Sequence, residues 1–207
     1  MRFLVFAALV GPLGTRGDLG AQGTAGTRAG VLLTLPTSTR ALGLADASGA
    51  AAADEWALFA SPAQLARVNA FSAGLASEAY LASTQLSALA LAVPFWRGTL
   101  GLGAAMLDYG SIREIALSTS GLDGVETGRT VSAQDDAITV GYALALPSVG
   151  GVRAGAAFEF VRTRIADLSA SGSAFSAGLA WTSRTGWDVA ASVQHVGSAL
   201  IVGATRG

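Results

Sequence analysis

One histidine and no cysteine stand in this 207-residue chain, so few side chains are equipped to make or break bonds. His195 closes a run of alternating residues and reads as an interfacial or packed side chain rather than a general base. The pair Asp135-Asp136 could lend oxygens to a hard cation such as calcium, but its spacing fits no recognised calcium loop. It reads as solvated loop ahead of a strand. None of the 27 glycines builds a phosphate cradle in front of a helix. The lack of cysteine excludes a thiol nucleophile, a disulfide scaffold and a thiolate zinc site. Thirteen basic residues, every one an arginine, against fourteen Asp plus Glu leave a net charge of −1, which supplies no field to hold nucleic acid. The expectation is a protein that binds rather than reacts: no enzyme, with no catalytic residue, cofactor or metal.

The remaining charge worth placing lies in two groups. Arg40, Asp46, Asp54 and Glu55 precede the alternating segments, and Arg153 and Glu159 lie within one of them. In one reading Arg40 pairs with a nearby carboxylate and meets the strand-borne charges inside an enclosed polar interior, where charges need partners. In the other, Arg40, Asp54 and Glu55 form a solvated turn and helix start. Pro62, following Ser61, marks a turn or helix boundary. Residues 41–53 stay open between helix and irregular chain, because alanine favours helix while Gly43 and Gly49 oppose it.

The elements that must position these residues are strands. Residues 1–23 have a short positive start and an apolar run too short to span a bilayer, the pattern of a secretory signal peptide. Only 13% of the residues are charged and 51% are apolar, against about 25% charged in an ordinary soluble domain. Residues 79–96 carry no charge, yet from Gln85 onward the large residues fall on alternate positions, Leu89, Leu91, Val93 and Phe95, which is a strand period. The same alternation runs through residues 69–79, 99–108, 137–146, 151–161, 173–182 and 186–196. In 137–146, Ile138, Val140, Tyr142, Leu144 and Leu146 alternate with small or polar neighbours; in 151–161, Arg153 and Glu159 sit on the smaller face.

Segments of about ten alternating residues are the length of transmembrane β-strands, about twice a soluble strand. Turn signals at Arg97-Gly98, Pro147–Gly151 and Ser183–Gly186 are tight, whereas 109–136 reads as a long polar loop. Trp96, Tyr109, Trp181 and Trp187 lie near strand ends, where interfacial aromatics belong. The alternative is a soluble β-sandwich whose bulky face is its core. The fold expected is all-β, a partial antiparallel transmembrane β-barrel of about seven or eight strands over 69–207. Residues 24–68 lie ahead of it.

The run Arg40-Ala41-Leu42-Gly43-Leu44-Ala45-Asp46-Ala47-Ser48-Gly49-Ala50, then Asp54-Glu55 and Ser61-Pro62-Ala63-Gln64-Leu65-Ala66, resembles the opening of the PorV/PorQ family, a branch of the FadL-like outer-membrane transport superfamily. Later blocks, Asp108–Glu114, Ile165–Gly172 and Val193–Gly197, resemble that family in its order. Ser61 stands where the family has Asn. Family members run well beyond residue 207 and end on an aromatic that this chain lacks, so the resemblance implies a C-terminally truncated or partial barrel. It also implies an outer-membrane location, lipid contact and a role in type IX secretion, with secreted cargo or other secretion components as partners. The resemblance further implies that residues 24–68 form an N-terminal plug-like segment in the lumen, with Arg40, Gly43, Asp46, Asp54, Glu55 and Pro62 belonging to it and Arg153 and Glu159 facing the lumen. Two alternatives stand beside it: a FadL-like channel for hydrophobic small molecules, and a soluble secreted β-domain.

Overall fold

The computed structural model describes residues 31–44, 49–80, 83–118, 123–197 and 201–204. The expected signal peptide and Asp46 lie outside the described residues. Among those described, no helix is long and apolar enough to cross a membrane.

The chain is an antiparallel meander. Strands β1 (Ser72–Ala79), β2 (Gln85–Phe95), β3 (Gly98–Leu117), β4 (Gly124–Leu146), β5 (Val152–Ile165), β6 (Leu168–Thr182) and β7 (Asp188–Gly197) each pair with the next. β8 (Ile201–Ala204) pairs with the start of β6, on the side that β7 uses further along, so β7 and β8 share one edge of the sheet. Four short helical pieces precede the sheet: 3-10 turns at Val31–Thr34 and Pro62–Arg67, and α-turns α1 (Thr39–Gly43) and α2 (Ala57–Ala60). Ser38 caps α1 by accepting from the Ala41 amide at 3.1 Å. Pro62 opens its 3-10 turn at the first position, where its missing N–H costs nothing.

Alternation assigns the two faces as the sequence predicts. Leu91, Leu102, Val140, Phe158, Phe175 and Val196 stand opposite one another strand by strand, a single apolar row from β2 to β7 on the outer face. Val140 is 44% exposed and Leu75 on β1 84% exposed, and among the described residues no second layer of protein covers them. The inner face carries alanine, glycine, serine and threonine, and residues 31–68 pack on it.

The inner glycines are where that segment seats. A Cβ at Gly101 or Gly141 would strike Leu58, at Gly103 Phe59, and at Gly155 the Pro62 backbone at 2.5 Å. Two apolar clusters result. One gathers Leu58, Leu65 and Val68 against Ala92, Ala143 and Ala157; the other sets Leu32 against Leu86, Leu107, Ala137 and Val161.

The sheet wraps around this segment. Glu55 accepts a hydrogen bond from Ser72 on β1, and the Ala60 carbonyl accepts one from Gln194 on β7. A flat sheet would hold β1 and β7 about 29 Å apart at ~4.8 Å per strand. Glu55 and Ala60 are only five residues apart in largely helical chain, roughly 8 Å. Strong curvature is the only way both edges reach it. Among the described residues β1 pairs only with β2, so both edges of the sheet carry unpaired backbone.

Three sequence readings need correction. The expected loop at 109–136 is mostly strand. Ser111–Leu117 and Gly124–Ser132 form a two-stranded arm reaching about 25 Å past the neighbouring strands, at ~3.3 Å per residue. Ile112, Ile115, Val125 and Val131 favour strand, and the Arg113–Glu126 pair at 3.1 Å crosses the arm. Gly110, at φ +76°, supplies the irregularity where the arm leaves the sheet. Secondly, Asp135 and Asp136 are strand residues: Asp135 is buried, and Asp136 pairs with Arg164 at 2.6 Å. Thirdly, Tyr109 donates to Asp135 at 2.8 Å and so turns away from the interfacial belt, while Phe71, Phe95, Trp96, Trp181 and Trp187 are exposed near the opposite, tight-turn end.

Candidate functional site

Between the two apolar clusters the inner wall carries a polar layer. Thr139 on β4 and Glu159 on β5 are register partners, both essentially buried, at 1% and 2% exposure. Glu159 Oε1 accepts from Ser176 Oγ on β6 at 3.1 Å, and Glu159 Oε2 lies 2.7 Å from His195 Nδ1 on β7. The Ser176 hydroxyl also accepts from the His195 backbone N–H at 3.1 Å. Three adjacent strands thus share one buried carboxylate, which satisfies both of its oxygens.

His195 reaches this layer through a bulge. Phe175 pairs with Val196 and Ala177 with Val193, so β7 spends one more residue than β6 over that step. His195 takes up the excess at φ +55° and turns inward beside Gln194. The triplet is no nucleophilic triad: the Ser176 hydroxyl donates to the carboxylate, and the imidazole contacts the same carboxylate rather than the hydroxyl.

Above this layer lies a cavity of about 460 Å³ between the wall and the N-terminal segment. Thr139, Glu159 and His195 form its floor, and Leu35, Trp56 and Phe59 line its sides. Among the described residues the Thr139 hydroxyl has no hydrogen-bond partner. Arg40 and Asp54 stand at the rim, paired at 3.5 Å and partly solvated. At the other end of the inner face a second polar group fastens segment to wall. Asp188 on β7 pairs with Arg67 at 3.1 Å and with Arg153 on β5 at 3.5 Å. Arg153 also donates to Thr182 at 2.6 Å and to Gln64 at 3.2 Å, and the fully buried Gln64 donates to the Ala50 carbonyl at 3.0 Å.

No protein-family model, curated protein or solved structure matches this chain.

Of the residues singled out from sequence, Arg153 and Glu159 do face inward and are buried, but neither meets Arg40, whose partner is Asp54. Glu55 is buried against Ser72, and Pro62 is buried against Gly155. Gly43 ends α1, and a Cβ there would meet nothing within 4 Å among the described residues. Sequence reasoning passed over Gln64, Arg67, Thr139, Ser176 and Asp188. The last three sit on the small face of the alternation, a usable signal for an inward position. Arg67 and Gln64 give no such signal.

Proposed function

We propose that the chain is an outer-membrane β-barrel protein whose N-terminal segment fills the lumen. Its work is binding or shuttling secreted cargo at the type IX secretion system, rather than chemistry. The observation that carries the membrane part is the outer apolar row Leu91–Leu102–Val140–Phe158–Phe175–Val196. An apolar face that crosses six strands has no place on a soluble monomer. Charge bounds it on both sides: Asp108, Asp136, Arg162 and Arg164 above, and the turn residues Arg97 and Arg184 below. From Ile138 to Leu146 the outer positions of β4 are uncharged over nine residues, the length a tilted spanning strand needs. The β3–β4 arm, beyond the band, offers a protein-binding surface, and the resemblance to PorV/PorQ supplies the secretion role.

The FadL-like reading draws on the apolar side walls of the cavity, Leu35, Trp56 and Phe59. A buried carboxylate on the floor opposes it, because Glu159 would repel the head of a fatty acid. A deletion strain separates the two roles. Lost cargo secretion with intact fatty-acid uptake supports the proposal, and the reverse defeats it.

A further inference from the structure

The cavity under the N-terminal segment has unspent hydrogen-bonding capacity. Its rim pair, Arg40 with Asp54, is joined to itself. Its floor presents Glu159, a buried carboxylate that contacts the Ser176 hydroxyl and the His195 imidazole. Beside it Thr139, 1% exposed, lines the same cavity, and its hydroxyl has no partner among the described residues. A buried polar atom left unpaired is costly, and a ligand that supplies the missing partner recovers that cost. The side walls, Leu35, Trp56 and Phe59, are apolar and include two aromatic rings able to receive a cation. A volume of about 460 Å³ lies within the range of small-molecule pockets.

We propose that this cavity binds a small organic cation, an ammonium head on an apolar body, with the head donating to Glu159 and Thr139 and the body against Leu35, Trp56 and Phe59. The ammonium has three donors and no acceptor, which suits an acceptor carboxylate and a hydroxyl. A carboxylate ligand meets repulsion at the same floor. The proposal concerns the inner face alone and holds whether or not the outer face contacts lipid.

The test is calorimetric titration of the full chain in detergent micelles with three probes of matched body: phenethylammonium, 3-phenylpropanoate and 3-phenylpropanol. The ammonium is expected to bind at least about tenfold more tightly than the carboxylate, with the alcohol between. Glu159→Gln should erase that preference. Ala137→Phe, which fills the cavity from β4, should weaken ammonium binding by about tenfold or more. Thr139→Val keeps the side-chain shape and should weaken it several-fold; it and Ala137→Phe carry the test if Glu159→Gln does not fold, as judged by circular dichroism. Equal affinity for all three probes, absence of binding to the folded chain, or ammonium binding indifferent to these variants would overturn the proposal.

Discussion

His195 Nδ1 lies 2.7 Å from Glu159 Oε2 across two strand spacings, and the contact exists only because β7 carries one residue more than its partner at that point. Strict alternation from Val193 would put position 195 on the outer face. The bulge brings it inward and gives the buried carboxylate its second partner. His195→Ala should therefore cost about 1–3 kcal/mol, the penalty for stripping a hydrogen-bond partner from a buried acceptor. Urea unfolding in detergent measures it. A Glu159→Ala/His195→Ala double variant should lose less than the sum of the two single changes, since each removes the same contact. Full additivity would mean that the two groups are independent.

Gly155→Ala places a Cβ 2.5 Å from the carbonyl carbon and oxygen of Pro62, backbone atoms that cannot swing aside. Overpacking of this kind costs about 1–3 kcal/mol and should loosen the N-terminal segment. Limited proteolysis with trypsin at Arg67, which ends the turn that Pro62 begins, reads this out as faster cleavage. Gly43→Ala, with nothing within 4 Å, is the control and should leave cleavage unchanged.

Asp188→Ala removes the carboxylate shared by Arg67 and Arg153 and leaves the Thr182 hydroxyl without its acceptor. Because Arg67 ends the 3-10 turn at Pro62–Arg67, the loss should show first as faster amide exchange across residues 57–67, with β4 amides unaffected. Uniformly faster exchange through both would show that the charge group supports the whole sheet rather than the attachment of the segment.

How far the sequence could be read differs between the two faces. The outer face is a pattern of period two, and Val140 against Thr139 or Phe158 against Glu159 is visible without coordinates, as are the turns at Pro147–Gly151 and Ser183–Gly186. The small inner residues were legible as room inside a curved sheet, but not what fills the room: no periodicity says that Leu58 sits over Gly101 and Gly141. The arm escaped because its polar, glycine-interrupted composition resembles loop, while the pairing across it, marked by Arg113 with Glu126, joins residues on different strands that no local pattern connects. Asp135 was misplaced for the same reason, its partner Tyr109 lying across the strand pair. A bulge is invisible to alternation, so His195 could be noticed but not faced. The Arg67–Asp188 pair spans 121 positions, and only the curvature of the sheet brings the two together.

Charge on the outer band should discriminate lipid contact from simple exposure. Val140→Arg, inside the band, should cost up to roughly 2–4 kcal/mol in a bilayer and prevent heat-modifiable assembly. Val125→Arg on the arm, where valine is 53% exposed, should cost little. Similar tolerance at both positions would place the outer band in water.

The most direct measurement uses the absence of cysteine, which makes single-cysteine labelling unambiguous. Nitroxides at Val140→Cys, Thr139→Cys and Val125→Cys, in chain reconstituted into bilayers, are probed by collision with oxygen, which concentrates in lipid, and with a water-soluble nickel chelate. Position 140 should collide with oxygen in preference to nickel, position 139 with neither, and position 125 with nickel. Nickel-dominated relaxation at position 140 would show that the apolar row faces water, and the account of this chain as a membrane-embedded sheet would fail.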